Sequence, residues 1–203
     1  MILLITAVFP TEPIVSATLA YDIAEVLSKN TDVRILTPRP SRPMGFMFEK
    51  AIKDYGFERI ILPSFIYPKS RIFGRMYESY SFGKHATKFI KFNKSAIDCI
   101  YLNSWPLISQ YLIVKACKRF LIPIVVHVQD IYPETLLGRL PFLKGLLNRF
   151  LLPVDKFVLQ NSSRVITISP KMIEYLLKTR NLSGKNIELI YNWQDEERFQ
   201  IEN

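Results

Sequence analysis

The run IVVHVQDIYPETLLG, residues 124–138, holds the side chains best equipped for chemistry. Ile124 to Val128 suit a buried strand, apart from His127. Gln129, Asp130, Tyr132, Pro133 and Glu134 follow, a polar and aromatic cluster that a core does not need. Asp130 comes two residues past the strand, where a carboxylate is partly desolvated yet open to a cleft. There it can orient a hydroxyl by accepting its hydrogen bond, or take its proton. Glu134, four residues on, shares its helical face if the chain coils after Pro133. The same spacing fits a helix start, with Asp130 as the cap and Glu134 supporting the first turn. On the residues alone both readings stand. His127, in a strand covered on both faces, reads as a hydrogen-bonded structural histidine.

The elements that must position these residues alternate along the chain. Apolar runs at 2–8, 32–38, 58–64, 96–102, 123–128, 164–169 and 186–191 read as strands. Between them, Ala20, Ile23, Ala24 and Leu27 share one helical face, and helical patterns recur at 75–92, 107–119, 143–161 and 171–179. Pro153 is expected to break or kink the fourth of these five helices. The alternation predicts an α/β domain: a doubly wound, mostly parallel sheet of about seven strands with helices on both faces. Ligands of such sheets bind beyond the carboxyl ends of the strands. That rule selects Phe9 to Ser16, including Pro13, after the first strand, and Asn103 to Pro106 after the fourth. It also selects Gln129 to Glu134 after the fifth and Ser169 after the sixth. Trp105 can stack on a sugar ring or simply cover the sheet edge.

Composition and missing motifs narrow the chemistry. The turn FPTEPIVSAT has no glycine, which excludes a dinucleotide fingerprint and a phosphate-cradling loop. Two histidines, no clustered ligands and no Asp-x-Asp pair argue against a metal site. No glycine-flanked serine elbow appears. Cys99 and Cys117 lie in apolar surroundings and read as reduced core thiols of a cytosolic protein. No apolar run reaches the length of a membrane span, and the first segment makes a poor signal peptide. The net charge of +9 is concentrated: residues 39–94 carry twelve Lys and Arg against four Asp and Glu, with twelve of the 26 aromatic residues. Basic charge interleaved with Phe and Tyr suits an anionic membrane surface or a nucleic acid.

Four segments, in order, resemble the N-terminal domain of retaining glycosyltransferases of family 4, which have the two-domain GT-B fold. ILLITAVFPTEP with DVRILTP is similar to that family's opening strand, loop and second strand. VVHVQDIYPE resembles its Asp-(Leu/Ile)-(Trp/Tyr)-Pro-Glu motif, especially in members that build bacterial surface polysaccharides. SSRVITISPKMIEYL resembles the strand and helix carrying a family serine, here Ser169. IELIYNWQDEERF resembles the stretch that crosses into the second domain. The resemblance implies metal-free transfer of a sugar from a nucleotide sugar to an acceptor hydroxyl, with anomeric configuration retained. It implies that Asp130 faces the acceptor hydroxyl or the transferred sugar, with Glu134 in the same cleft and Gln129 where the family often has histidine. Val15 and Ser16 stand where a glycine pair usually approaches the donor diphosphate.

These implications set the expectations. Residues 1–191 form the Rossmann-like acceptor-side domain, and 192–203 begin the crossing to a donor domain, supplied by the same chain or a partner subunit. The chain alone is expected to be inactive and to hold no cofactor or metal of its own. Asp130 and Glu134 are the catalytic candidates; Pro13, Val15, Ser16, Asn103, Trp105, Gln129 and Ser169 are the substrate-binding ones. Arg71, Arg75, Lys84, Lys88 and Lys91 are expected to meet an anionic membrane or the lipid of a lipid-linked glycan acceptor, placing the protein on the inner face of the cytoplasmic membrane, with no nucleic-acid partner. The alternatives are a non-catalytic basic binding module and half of another GT-B enzyme, such as a nucleotide-sugar epimerase.

Overall fold

A computed structural model of the chain describes residues 1–43, 46, 56–67, 72–103, 106–137 and 144–193. Seven strands form one sheet: β1 (Ile2–Ile5), β2 (Val33–Thr37), β3 (Glu58–Ile61), β4 (Cys99–Asn103), β5 (Ile124–Val128), β6 (Arg164–Thr167) and β7 (Ile187–Leu189). Their order is β3-β2-β1-β4-β5-β6-β7, and every neighbouring pair is parallel. The inner strands β1, β2, β4 and β5 are largely buried and so must be apolar along their length, which is why they read as short hydrophobic runs. The edge strand β3 is instead exposed at Glu58 and Ile61.

The helices divide between the two faces. Helix α1 (Val15–Ser28) sets Ala20 and Ala24 against Leu4, Val33 and Ile35. On the opposite face, α2 (Ile72–Asn93), α3 (Leu107–Phe120), α5 (Lys144–Gln160) and α6 (Pro170–Arg180) enclose the larger core. It includes Leu3, Ile5, Ile100, Leu102, Val126 and Val165. A one-turn helix, α4 (Glu134–Leu137), follows β5. Helix α5 runs through Pro153 without ending. That proline is exposed, so the hydrogen bond it cannot make is missing on the solvent side of the helix. Both cysteines are free, Cys117 fully buried and Cys99 partly so.

Helices α2 and α3 pack unusually closely at Gly83. A Cβ there would stand 2.6 Å from the Ser109 Cα, so the contact needs the missing side chain. Ser79 Oγ accepts from the Ser109 N–H at 2.9 Å beside it. This junction anchors the first turn of α3, hence the end of β4.

Strand order reverses between β1 and β4, so the loops after them part and leave a crevice at the carboxyl end of the sheet.

Candidate functional site

A cavity of about 240 Å³ occupies that crevice, lined by Thr6, Ala7, Val8, Ile14, Ser16, Arg42, Asn103, Gln129 and Asp130. Four expected residues therefore meet there, Ser16, Asn103, Gln129 and Asp130, each because it follows a strand or opens α1. Trp105 and Arg71 lie outside the described residues. Pro13 and Val15 are exposed but do not line the cavity, and Ser169 instead caps α6, its Oγ accepting from the Met172 N–H at 3.3 Å.

Asp130 is exposed on the rim. Among the described residues its carboxylate takes part in no hydrogen bond or ion pair, so it does not cap α4. The turn there is closed instead by Thr135, whose N–H and Oγ both donate to the Ile131 carbonyl, at 3.0 and 2.8 Å. Asp130 thus stays available as an acceptor.

Asn103 forms the floor. Its Nδ2 donates to Thr6 Oγ1 at 3.2 Å, and Thr6 Oγ1 donates onward to the Val8 carbonyl at 2.9 Å. Gln110 Nε2 donates to the Asn103 carbonyl at 2.9 Å. These bonds fix the amide, leaving the Asn103 Oδ1 buried and unpartnered among the described residues. One strand over, His127 is 1% exposed and its Nδ1 shares a hydrogen bond with the Tyr101 hydroxyl at 2.6 Å. Burial depresses it to a pKa of about 4, so it is neutral at pH 7 and structural, as its place in the strand suggested.

The opposite wall was not anticipated. Glu12, buried in the β1–α1 loop, accepts from the N–H groups of Ser41 and Arg42 at 2.9 and 3.0 Å and from Phe9 N–H at 3.3 Å. It thereby clips the loop after β2 against the loop after β1 and brings Arg42 to the cavity. Arg42 Nη2 pairs with Glu78 Oε2 at 3.2 Å, and Arg75 Nη1 meets the same oxygen at 2.7 Å. Burial, then the charge of Arg75, holds Arg42 below its ordinary value despite Glu78. The Glu12–Pro13 dipeptide in a strand-end loop was the only sequence signal for this wall.

Two expectations fail on geometry. Glu134 does not face the cavity: both its oxygens are held by Arg180, at 2.8 and 2.7 Å, and Tyr175 donates to it at 2.9 Å. Burial alone would raise its pKa, but the hydrogen bonds from Arg180, the backbone and Tyr175, with the charge of Arg180, together hold the carboxyl below its usual range. Arg75 turns inward to Glu78 with 19% of its side chain exposed, and so leaves the basic surface. Lys84, Lys88 and Lys91 do stand exposed on α2. On the same helix Phe73 and Tyr77 are 85% and 57% exposed, and Phe65 packs edge-on against Tyr77, their ring centroids 5.0 Å apart.

The sequence profile described as Glycosyltransferase Family 4 matches residues 16–198. No curated protein was found to match the sequence. Among solved structures, Anabaena Alr3699/HepE in complex with UDP-glucose aligns over 97% of this chain and 44% of its own, at 14% identity and a TM-score of 0.60. Sucrose-phosphate synthase from Thermosynechococcus elongatus aligns over 97% of this chain and 49% of its own, at 14% identity and a TM-score of 0.63. Arabidopsis thaliana UGT89C1 complexed with UDP-L-rhamnose aligns over 93% and 47%, at 16% identity and a TM-score of 0.56. The chain thus spans about half the length of each of these solved chains.

Proposed function

The chain belongs to glycosyltransferase family 4, and from that premise we propose that it is the acceptor-binding half of a retaining, nucleotide-sugar-dependent glycosyltransferase. The transfer places a sugar on a lipid-linked glycan acceptor during polysaccharide or lipopolysaccharide synthesis. The observation that carries this reading is Asp130, an unengaged carboxylate on the rim of a cavity at the reversal of strand order. A carboxylate in that position accepts the hydrogen bond of an incoming hydroxyl and orients it towards the anomeric carbon.

The other walls suit the same task. Asn103 Oδ1 can only accept, which matches a sugar hydroxyl once the floor relaxes to admit one. Helix α1 opens on the cavity at Ile14 and Ser16 with no side-chain cap, leaving N–H groups and the positive end of its dipole for a diphosphate. Arg42 adds a cation on that side. No group of three or more His, Cys, Asp or Glu side chains that could hold a metal ion occurs among the described residues.

The lipid end of the acceptor is assigned to the surface of α2. Phe73 and Tyr77, with Phe65 against Tyr77, offer apolar area to acyl chains, while Lys84, Lys88 and Lys91 meet anionic headgroups. The proposed attachment through this face is peripheral, on the cytoplasmic side; no helix among the described residues is long and apolar enough to cross a membrane. The nucleotide is bound by a donor-side domain; of the segment 192–203 expected to cross to it, residues 194–203 lie outside the described residues.

Reconstitution tests the proposal. A panel of nucleotide sugars and lipid-linked acceptors is offered to the chain with and without a donor-side half. Transfer only in the completed enzyme, with inverted product absent, is expected. Turnover by the 203-residue chain alone, or transfer with inversion, would refute it.

A further inference from the structure

Beside the cavity, but not lining it, lies a buried ionic assembly centred on Arg180, the last residue of α6. Arg180 is fully buried, and all five of its N–H donors are engaged. Its Nε gives to Asp155 Oδ2 on α5 at 2.5 Å. Its Nη1 gives to Glu134 Oε1 and Thr179 Oγ1, at 2.8 and 3.0 Å. Its Nη2 gives to Glu134 Oε2 and to the Tyr132 carbonyl, at 2.7 and 3.0 Å. Gln160 Nε2 donates to the carbonyl of Arg180 itself at 2.8 Å.

Burying a guanidinium is costly unless its geometry is nearly complete, and for pinning one helix to another an apolar contact serves as well. The direction of the bonds shows what is being held. Three of the five donors go to the turn Tyr132–Glu134, one to α5 and one to the neighbouring threonine. Asp130 lies two residues before that turn. The turn is closed on itself by the Thr135 N–H to the Ile131 carbonyl, so its far end is clamped and its near end follows the cavity's carboxylate.

We propose that Arg180 is a positioning residue for Asp130: with Glu134 and Asp155 it fixes the turn that presents the carboxylate to the acceptor. This inference rests on the reading of Asp130 given above. Positioning of this kind matters because a displacement of about 1 Å at a reacting group can cost on the order of 100-fold in rate.

The test uses Arg180→Lys, which keeps the charge but loses the fork, and Glu134→Gln, a milder change should the lysine variant not fold. In the 203-residue chain, amide exchange of Thr135 is followed by NMR. We expect exchange at least tenfold faster in either variant, with the β5 amides unchanged. In the enzyme joined to its donor-side half, either variant should lower kcat at least tenfold with the nucleotide-sugar KM within twofold. Combined with Asp130→Asn, it should be no slower than Asp130→Asn alone, because Arg180 acts through Asp130. Multiplying losses, or an unchanged Thr135 amide, would overturn the inference while leaving Asp130 in place. A harmless Asp130→Asn would instead overturn the reading of the cavity on which it depends.

Discussion

At the scale of single residues, what distinguishes Asp130 from the other carboxylates near it is the absence of a partner. Glu12, Glu78, Glu134 and Asp155 each hold backbone amides or guanidinium groups in place. Asp130 alone of these five lies exposed and unengaged among the described residues, and it does so on the cavity. His127 shows the opposite case, an eye-catching residue given to structure. Its folded pKa of about 4 lies below the ordinary 6.5, so only the unfolded chain takes up its proton between those values. The stability this site contributes is therefore complete above about pH 6.5 and falls as pH drops towards 4, by on the order of 3 kcal/mol. Replacing His127 with Asn should remove most of that fall, measured as denaturant midpoints at pH 7 and pH 4.5. An unaltered pH dependence would mean that His127 is not held neutral. The rule of strand ends led to the cavity rim at Asp130, but Glu134 is drawn away from it by an arginine 46 residues off, beyond any local pattern.

At the scale of elements, the strands were legible because both faces of a parallel sheet are buried, and their ends led directly to Ser16, Asn103, Gln129 and Asp130. The loop that delivers Arg42 was not, since a buried glutamate accepting three backbone amides leaves no periodic trace. Glu12→Ala should strand those amides and cost about 3 kcal/mol, or roughly 6–12 °C in Tm for a chain of this size. A change of under 2 °C in calorimetry would show the clip to be dispensable. Arg75 was misjudged for a different reason: its partner Glu78 lies one helical turn on, a spacing that favours pairing over display. The exposed lysines of α2 give the surface prediction. At about 1 kcal/mol each near an anionic bilayer, changing Lys84, Lys88 and Lys91 to Gln should weaken vesicle binding on the order of 100-fold. Phe73→Ala with Tyr77→Ala should weaken it towards neutral vesicles as well. Equal sedimentation of the native chain with anionic and neutral vesicles would contradict this use of the helix.

At the scale of the whole molecule, the sheet reverses its strand order at one place, and the cavity, the unengaged carboxylate and the open end of α1 all gather there. The fold was readable because its regularities are periodic and local. The site was readable only as far as the rule of strand ends reaches; its ionic supports join residues far apart in the chain and became visible only when the sheet was assembled. The chain belongs to glycosyltransferase family 4, shares its fold with solved chains of about twice its length, and would have its cleft completed by the proposed donor-side domain. The proposed chemistry depends first on Asp130. Transfer rates of Asp130→Asn in the enzyme joined to its donor-side half measure this most directly. We predict a fall of about 100-fold or more in kcat, the usual range for a positioned acid–base group, with the nucleotide-sugar KM little changed. A kcat within about threefold of the unaltered enzyme would contradict it.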